Sequence, residues 1–482
     1  MKYAILVAIV VVSLVLASGV GQSAETPSEA EEIKIGIVVP YTGLSSTTGI
    51  DMWKYAVMAA EEINATGGVN VSGVPMNITL LLGNDETSPA AGVKVVTKLI
   101  TEDKVDLLVG GFNSGVTAAD SVVAAEHKVP FIVTGASTPI ITHRTDINTT
   151  YFFHHCPTGD DYAEFTLLCV NDIIKPAIYE RFNFTEDRPL RLAFLYQDTA
   201  YGVGVYNGTK RAIEIHDLNM EIVAAEKFKM GETDYRTILT TIKAAKPDVV
   251  YPAALPTEQP LIVTQGRRDV GLDTIYLSVE CNDDPVYYTG VGRSGEYSIQ
   301  ESRFGPYATP PGLTHDAAVK SKEDFKSRWG NYPSMMGAST YEGVYIAAEA
   351  IENAGTLDKE KVRDSLDELV MPPMIEEMKD GVITFSPDYR ESKFVLYQEQ
   401  LIWNETAGET RPKIIWPDSI KETDFVLPEW YEPGSAPTPT PTSTPTRVPT
   451  AEVPEKGVPG FEVVFAIASL LAIAYLVRRR RE

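Results

Sequence analysis

The sequence predicts an α/β fold made of two similar halves, each built on a mostly parallel sheet. Apolar strands alternate strictly with amphipathic helices, which is the pattern of βαβ units whose sheet is covered by helices on both faces. The pattern begins at Ile33 and restarts near Pro189. Two such halves in one chain indicate two lobes with a cleft between them. In open α/β sheets the ligand lies beyond the carboxyl ends of the strands, so we expect the binding site in this cleft.

The first half begins with Ile33–Val39, an apolar run long enough for a buried strand of a parallel sheet. A helix follows from about residue 49, because apolar residues recur there at helical spacing with polar residues between them. By the same two patterns, the next predicted elements are strand 76–83, helix 88–102, strand 105–110, helix 115–128 and strand 130–134.

The second half repeats this alternation. Its predicted elements are strand 190–196, helix 202–216, strand 220–225, helix 234–245, strand 248–252, helix 257–270 and strand 274–279. Three helices follow, at 315–329, 338–354 and 358–369, and then a hairpin-like pair of strands at 381–385 and 393–397.

The two ends of the chain predict export and anchoring. Residues 1–24 join a basic start, an apolar run and small residues, which is the order of a cleavable signal peptide. At the other end, a Pro-Gly-Phe tripeptide precedes the short apolar run 463–477 and an arginine cluster. This tail, 458–482, resembles the PGF-CTERM sorting signal of archaeal surface proteins, which is cut off and replaced by a lipid; an uncleaved transmembrane anchor is the alternative. Either way the folded chain is expected on the extracellular face of the cell membrane, because arginine clusters stay in the cytoplasm.

Composition narrows the function further. The net charge of −24 offers no basic face for phosphates and argues against nucleic-acid binding. Residues 433–457 are rich in Pro, Thr and Ser and predict an extended stalk. The three cysteines have no metal-ligand spacing; a Cys156–Cys169 disulfide and buried free thiols are the two alternatives. Seven Asn-x-Ser/Thr sequons are typical of a glycosylated surface protein, and they begin at Asn64, Asn70, Asn77, Asn148, Asn183, Asn207 and Asn404.

Loops at the predicted strand ends carry candidate binding groups. Ser114 is expected to cap the helix after strand 105–110, and a helix start with a hydroxyl and free N–H groups suits a carboxylate. An ordinary capping serine is the alternative. After the next strand, the loop 135–139 offers the hydroxyls of Ser137 and Thr138 and exposed main chain. An ordinary turn that ends at a proline is the alternative there.

In the second half, Tyr201 follows the first strand in a Gly-rich turn, and Glu280 stands at the tip of strand 274–279. A carboxylate at such a tip is costly to desolvate unless a cation or hydrogen-bond donors satisfy it. If that cation is a ligand ammonium, the cleft holds a carboxylate receptor in one lobe and an ammonium receptor in the other. This arrangement is an amino-acid clamp. A local Lys or Arg is the alternative partner of Glu280.

Motifs of other chemistries are incomplete in this sequence. The glycines after Tyr201 superficially match a dinucleotide fingerprint, but Gly208 comes one residue late and no acidic ribose partner follows. Ser114 does not lie in a G-x-S-x-G elbow. His154 and His155 lack a third metal ligand at the usual spacing. The sequence therefore predicts neither an enzyme nor a metal or cofactor site.

Together these segments resemble the branched-chain amino-acid-binding family of ABC-transporter receptors, from about residue 33 to residue 416. The motifs that carry the resemblance lie at 35–43, 60–68, 84–85, 129–132, 136–138 and 197–202. The resemblance implies a two-lobe type I periplasmic-binding-protein fold with the ligand in the interlobe cleft. Lobe 1 would comprise 33–155 and 303–385, lobe 2 would comprise 156–302 and 386–432, and the hinge would lie near Cys156, Arg303 and Ser386.

The predicted ligand-binding residues are Ser114, Ala136, Ser137, Thr138, Tyr201 and Glu280, and the resemblance implies a role for each of them except Ser137. In lobe 1, the hydroxyls of Ser114 and Thr138 would hold the ligand α-carboxylate. The main-chain oxygen of Ala136 would accept a hydrogen bond from the α-ammonium.

In lobe 2, Tyr201 would line the pocket and the Glu280 carboxylate would bind the ammonium. The chain departs from the family at Ser137, where branched-chain receptors usually carry alanine, and at 255–256, where an aromatic residue is common. These departures leave the side-chain preference of the ligand open.

The function that the resemblance implies is that of an extracellular substrate-binding protein of an ABC importer, without a cofactor. It would act as a monomer that captures an amino acid, branched-chain or otherwise apolar, in a closing cleft. It would then deliver the amino acid to the permease and ATPase subunits. Two alternatives stay open: a receptor of the same fold for amides, urea or another small polar solute, and a sensory ectodomain.

Overall fold

Strands and helices alternate along most of the folded chain. The computed structural model describes residues 32–434, apart from the side chain of Glu280; the predicted signal peptide, sorting tail and nearly all of the stalk lie outside them. The strands are β1 (Ile33–Val39), β2 (Val69–Val71), β3 (Val74–Met76), β4 (Ile78–Asn84), β5 (Leu107–Gly110), β6 (Phe131–Val133), β7 (Phe152–His154), β8 (Leu190–Gln197), β9 (Met220–Phe228), β10 (Val249–Ala253), β11 (Ile275–Tyr276), β12 (Ile299–Ser302), β13 (Tyr397–Asn404) and β14 (Glu409–Trp416). The helices are α1 (Ser46–Ala65), α2 (Pro89–Thr101), α3 (Ser114–Glu126), α4 (Ile140–His143), α5 (Gly159–Cys169), α6 (Lys175–Phe182), α7 (Ala200–Ile215), α8 (Arg236–Ala244), α9 (Gln259–Gln265), α10 (Pro285–Val291), α11 (His315–Trp329), α12 (Met335–Ala354) and α13 (Lys359–Asp367).

Two parallel sheets form the two lobes. The first has the strand order β4-β1-β5-β6-β7 and the second has the order β11-β10-β8-β9. Every neighbouring pair within these two sheets is parallel. Strands β1 and β8 lie inside their sheets and are almost wholly buried, which is why they read as unbroken apolar runs. The predicted fold class is confirmed.

Helices cover both faces of the first sheet. Ile37 of β1 belongs to the core that also contains Tyr55 of α1. Its neighbour Val38 belongs to a separate core with Leu99 of α2, as the two-residue period of a strand requires. Helix α12 lies on the α1 side, so close to the sheet that a Cβ at Gly343 would come within 2.8 Å of a side chain in β5. The absence of a side chain there lets α12 reach the sheet and bring its first turn to the cleft.

The structure corrects three predicted elements. The segments 381–385 and 393–397 do not pair with each other, because Ile383 is bridged to Met371 and Phe394 to Met378. The alternation of apolar residues in each segment therefore reflects burial against a different partner, and not pairing of the two segments. The strand predicted at 274–279 is regular only in β11, and Glu280 begins the short 3-10 helix Glu280–Asn282. The helix predicted at 257–270 is α9 followed by a π-helical turn, Gly266–Val270.

Some elements have no clear sequence signal. Strands β12, β13 and β14 form an antiparallel sheet that the apolar pattern does not predict. The buried residues of β13 include the polar Gln398, Glu399 and Gln400. The strand therefore has no apolar run that would reveal it in the sequence. All three cysteines are free and buried, which confirms the alternative of buried free thiols over a Cys156–Cys169 disulfide. Within residues 32–434, no helix is both long and apolar enough to span a membrane.

Candidate functional site

A cavity of about 160 Å³ lies between the two lobes. Its wall is built by residues that follow strands of both sheets, with Thr87 after β4, Asn113 after β5, Gln197 at the end of β8, Leu255 after β10 and Val279 after β11. The carboxyl ends of both sheets therefore meet at this point, as the topology of open α/β sheets requires. The predicted site in the interlobe cleft coincides with this cavity.

Ser114 presents an unused hydroxyl at the cavity. It lies in the wall and is buried, and its Oγ has no hydrogen-bond partner in the described chain. The sequence places Ser114 at the cap, whereas the structure makes Asn113 the N-cap and Ser114 the first residue of α3. The first intrahelical bonds run from Val116 and Thr117 to the Asn113 oxygen. The amides of Ser114 and Gly115 therefore have no helical acceptor and suit an anion.

Only part of the loop after β6 lies in the cavity wall. Ser137 lies in the wall, and its main-chain oxygen accepts from the Gly159 amide of α5 at 2.8 Å. Ala136 and Thr138 are buried but lie outside the wall. The Ala136 oxygen accepts a hydrogen bond from the His154 ring, with Nε2 at 2.5 Å. The carbonyl expected to bind the ammonium is thus in contact with a histidine.

The second lobe contributes a polar pair that the sequence analysis missed. Gln197 and Thr199 lie in the wall, and the Thr199 hydroxyl donates to Gln197 Oε1 at 3.3 Å. The Gln197 amide nitrogen donates to Glu258 Oε2 at 2.5 Å. Their position at the end of β8 is the signal that identifies them, because strand ends of this kind build the site.

Tyr201 lies in the wall as predicted, in the first turn of α7. Its hydroxyl contacts Cys281 Sγ at 3.5 Å. Burial around that hydroxyl raises the pKa of Tyr201 well above its usual value, and burial raises the pKa of Cys281 to about 12. Both groups are therefore neutral at pH 7 and act as polarisable surface. Glu280 directly precedes Cys281 in the chain; its side chain is outside the described part of the protein.

The rest of the wall is mostly apolar. Phe112, Tyr162, Met230, Leu255 and Met336 lie in it together with a few smaller residues. Tyr162 and Met336 come from α5 and α12, far from any strand end, so no strand-end pattern identifies them. No residue of the described wall is charged. Such a wall accepts a small apolar body and leaves orientation to a few polar groups.

One cluster elsewhere has the composition of a metal site. His155, Glu342 and Glu376 are buried, and one ligand atom of each lies within 4.8 Å of the others. However, His155 Nε2 is 2.8 Å from Glu342 Oε2, and the other Glu342 oxygen accepts three main-chain amides at 2.8–3.1 Å. Glu376 accepts from Arg303 Nε and Ser339 Oγ, both at 2.7 Å. Protein donors satisfy these carboxylates, so the cluster does not fit a metal ion.

Comparisons with known proteins agree with this geometry. A family model described as "Periplasmic binding protein" matches residues 32–388, and a PGF-CTERM motif model matches residues 458–480. The Leu/Ile/Val-binding protein homolog 1 of Brucella suis biovar 1 (strain 1330) is 27% identical over 337 residues, which are 70% of this chain and 82% of that protein.

Solved structures share the fold at low sequence identity. The branched-chain amino acid transporter substrate binding protein LivJ from Streptococcus pneumoniae, in complex with isoleucine, has a TM-score of 0.63 and 22% identity over 80% of this chain and 100% of that one. A solute binding protein from R. palustris in complex with benzoate has a TM-score of 0.65 and 16% identity over 81% of this chain and 99% of that one. These proteins share the two-lobe architecture and bind different ligands.

Proposed function

Because the chain belongs to the periplasmic binding protein family, we propose that it is the extracellular substrate-binding protein of an ABC importer and that its ligand is an apolar amino acid. Its relatives are solute-binding proteins, not enzymes. The relatives named for leucine, isoleucine and valine, and the structural neighbour with bound isoleucine, support the ligand class.

The observation that carries the proposal is the unused Ser114 hydroxyl in a mostly apolar, uncharged wall. A buried polar group without a partner is costly, so its presence in a cleft indicates a ligand group that completes it. With the amides of Ser114 and Gly115 beside it, the partner is an anion. The ligand α-carboxylate is that anion, and the Ser137 hydroxyl lies in the same wall.

The remaining space suits one small apolar side chain. The cavity measures about 160 Å³, and an apolar protein cavity of about 150 Å³ holds benzene. Met230, Leu255 and Met336 provide flexible or branched apolar contacts for such a group. Tyr201 closes the pocket from lobe 2. In this proposal, Thr138 supports the carboxylate loop from behind, and Glu280 and the Ala136 oxygen receive the ammonium.

A second candidate ligand is an aromatic carboxylic acid. The neighbour with bound benzoate supports it, and so does the contact between His154 and the Ala136 oxygen, which uses an acceptor that an ammonium needs. A ligand without an ammonium would bind through Ser114 alone and stack on Tyr162 or Tyr201. Amides and urea remain smaller polar alternatives for the same cleft.

A thermal-shift screen distinguishes these ligands. The purified chain is scanned with the twenty amino acids, benzoate, acetamide and urea, because ligand at about 100-fold its Kd stabilises the native state by about 2.7 kcal/mol. We expect leucine, isoleucine or valine to raise Tm most, and the same ligand to reduce the radius of gyration as the lobes close. A rise in Tm with benzoate or urea and none with any amino acid would refute the amino-acid proposal.

The anchor completes the proposed role. The PGF-CTERM motif at 458–480 places the anchor at the carboxyl end, beyond a Pro/Thr-rich segment. A monomeric receptor on such a stalk stays near the membrane and can present its bound ligand to the permease and ATPase subunits.

A further inference from the structure

The seven sequons fall into two structural classes. Five asparagines are exposed, which are Asn70, Asn77, Asn148, Asn183 and Asn404. Two are half-buried, which are Asn64 and Asn207. A sequon is an acceptor for an N-linked glycan only where the asparagine amide reaches solvent, and a glycan is too bulky for a packed surface. The exposed asparagines are therefore accessible to N-linked glycosylation, whereas the half-buried ones are not.

Two of the exposed asparagines lie in hairpins and have a free amide nitrogen. In the β2–β3 hairpin, Asn70 Oδ1 accepts from the Gly73 amide at 2.8 Å. At the tip of β13–β14, Asn404 Oδ1 accepts from the amides of Thr406 and Ala407, both at 3.0 Å. In both turns the carboxamide oxygen holds the loop, and the Nδ2 group has no hydrogen-bond partner within the described chain. This geometry directs Nδ2 outward.

The other three exposed sites lie outside the strands and α-helices. Asn148 precedes a 3-10 turn, where its Oδ1 accepts from the Thr150 amide at 3.1 Å. Asn77 is the single residue between β3 and β4. Asn183 follows α6 in the left-handed conformation, with φ of 52°, which ends the helix and turns the chain towards solvent. None of the three Nδ2 groups makes a hydrogen bond to the described part of the protein, so all three amides are available to a modifying enzyme.

The half-buried asparagines are engaged or enclosed. Asn64 Nδ2 donates to the Ile78 oxygen at 2.9 Å and its Oδ1 accepts from the Ile78 amide at 2.8 Å, so a sugar there would lie against β4. Asn207 lies in the middle of α7, where a Cβ on the next residue, Gly208, would come within 2.7 Å of the Gly159 oxygen. Neither site is an open loop.

The exposed sites share one further property: they lie away from the cleft. The cavity is at the carboxyl ends of the parallel strands, whereas Asn77 precedes β4 and its main-chain oxygen accepts from the Ile33 amide at the start of β1. The hairpin with Asn70 leads into the same edge, Asn148 precedes β7, and Asn183 precedes β8. These four asparagines therefore lie at the amino-terminal edges of the two sheets, which are opposite the ligand.

Asn404 is also distant from the cavity. Strand β13 begins at Tyr397, whose hydroxyl accepts from Ser302, and Ser302 in turn contacts Asp283, two residues beyond the wall residue Cys281. Asn404 ends the same strand, seven steps later, about 23 Å away at the rise of a strand. The hairpin tip thus points away from the binding site.

We propose that Asn70, Asn77, Asn148, Asn183 and Asn404 carry N-linked glycans and that Asn64 and Asn207 are unmodified. In the reaction, the asparagine Nδ2 forms a bond to the anomeric carbon of a glycosyl phosphate donor. The bond between that carbon and the phosphate oxygen breaks, and the amide proton leaves with the phosphate. The glycans cover the outer ends of both lobes and leave the rim of the cleft open for ligand and permease.

Glycopeptide mass spectrometry tests the assignment on full-length protein from native membranes. We expect a glycan mass on the peptides of all five exposed sequons and the unmodified mass for the two half-buried ones. A glycan on any half-buried asparagine, or an exposed asparagine that is unmodified in every copy, would overturn the proposal. The proposal rests on the extracellular location in the proposed function, so ligand binding is measured on the same sample. Bare sequons with intact binding would reject the glycans and keep the receptor.

A pair of variants expressed in the native host provides an independent test. Asn183→Gln should migrate faster in a denaturing gel by the mass of one glycan, because an exposed acceptor is lost. Asn207→Gln is the matched control, since it removes a sequon from the same lobe, and its migration should not change. A shift in the control, or none in Asn183→Gln, would contradict the assignment. Neither variant touches the cavity wall, so ligand affinity should be that of the unaltered chain.

Discussion

His154 Nε2 lies 2.5 Å from the main-chain oxygen of Ala136. His154 ends β7 and Ala136 follows β6, its neighbour in the sheet. Because a carbonyl oxygen only accepts, Nε2 carries the hydrogen. On the other side of the ring, Nδ1 is 3.9 Å from Glu391 Oε1, which also contacts His143 Nε2 at 2.9 Å. A buried histidine therefore connects the loop after β6 to a segment far along the chain.

The pair of His154 and Glu391 predicts a pH dependence of stability. Burial alone lowers the pKa of His154, but contacts with Cys156 and Glu391 outweigh it and raise the pKa to about 10. Burial alone would raise the pKa of Glu391. The contact with His154, with smaller contributions from His143 and Lys393, instead lowers this pKa to about 2. The stabilisation from His154 is complete below pH 6.5, the ordinary pKa of a histidine, and is lost as pH rises towards 10. The stabilisation from Glu391 is complete above pH 4.5, the ordinary pKa of a glutamate, and is lost as pH falls towards 2.

Urea unfolding of Glu391→Gln at pH 5.5 and pH 9 measures this contribution. Removal of one partner of a buried ion pair costs about 3–5 kcal/mol. We expect the substitution to lower the free energy of unfolding more at pH 5.5 than at pH 9. Between these two pH values, the free energy of unfolding should therefore fall less in the variant than in the unaltered chain. An equal fall in both proteins would show that another group causes the pH dependence.

The Ser114 hydroxyl should matter for binding and not for stability. Ser114→Ala removes a hydrogen bond to a charged ligand group, worth about 1.5–3 kcal/mol, or roughly 10- to 150-fold in affinity. The free energy of unfolding should stay the same or rise slightly, because the hydroxyl has no hydrogen-bond partner within the described chain. Ser121→Ala in the same helix is the control. Its hydroxyl donates to the Ala118 oxygen at 2.9 Å, so stability should fall by about 0.5–1.5 kcal/mol with no change in affinity.

Glu280→Gln separates an amino-acid receptor from a receptor for uncharged ligands. The change keeps the shape of the side chain and removes its charge. If Glu280 pairs with a ligand ammonium, the loss is about 2–5 kcal/mol, or roughly 30- to several-thousand-fold in affinity by calorimetry. Binding of benzoate or urea needs no such charge and should change little. Unchanged affinity for every amino acid that binds the unaltered chain would remove Glu280 from the proposed site.

Arg303 and Glu376 form an ion pair whose two side chains are both fully buried, with Nε to Oε1 at 2.7 Å. Glu376→Gln should lower the free energy of unfolding by about 3–5 kcal/mol, because a buried charge loses its partner. The matched control is Glu61→Gln in the exposed pair with Arg328, where the loss should stay within about 1 kcal/mol. Urea unfolding measures both variants. Equal losses would contradict a structural role for the buried pair.

The sorting tail makes a prediction about the mature protein. If the PGF-CTERM motif is processed, mass spectrometry of the membrane-associated protein should lack peptides spanning 465–477. Recovery of the intact arginine cluster at 478–481 from mature protein would instead indicate an uncleaved transmembrane anchor.

The sequence predicts part of the binding site through the topology of parallel sheets. Ser114, Ser137 and Tyr201 follow strands, and all three lie in the cavity wall. Gln197 and Val279 are in equivalent positions and are recognisable by the same rule. Ala136 and Thr138 lie outside the wall because their loop turns towards His154 and α4, a contact between segments that local sequence does not encode.

The sequence by itself determined the two α/β lobes, the order of most strands and helices, and the edge of the sheets where the cavity lies. Buried parallel strands require unbroken apolar runs, and the chain direction then decides which ends face the cleft. Only the tertiary structure decided that Tyr162 and Met336 complete the wall, that Glu280 begins a 3-10 turn, and that the buried polar strand β13 pairs beside β12. The physical reason is that these features depend on contacts between residues far apart in the chain, whereas periodicity reports only which side of an element is buried.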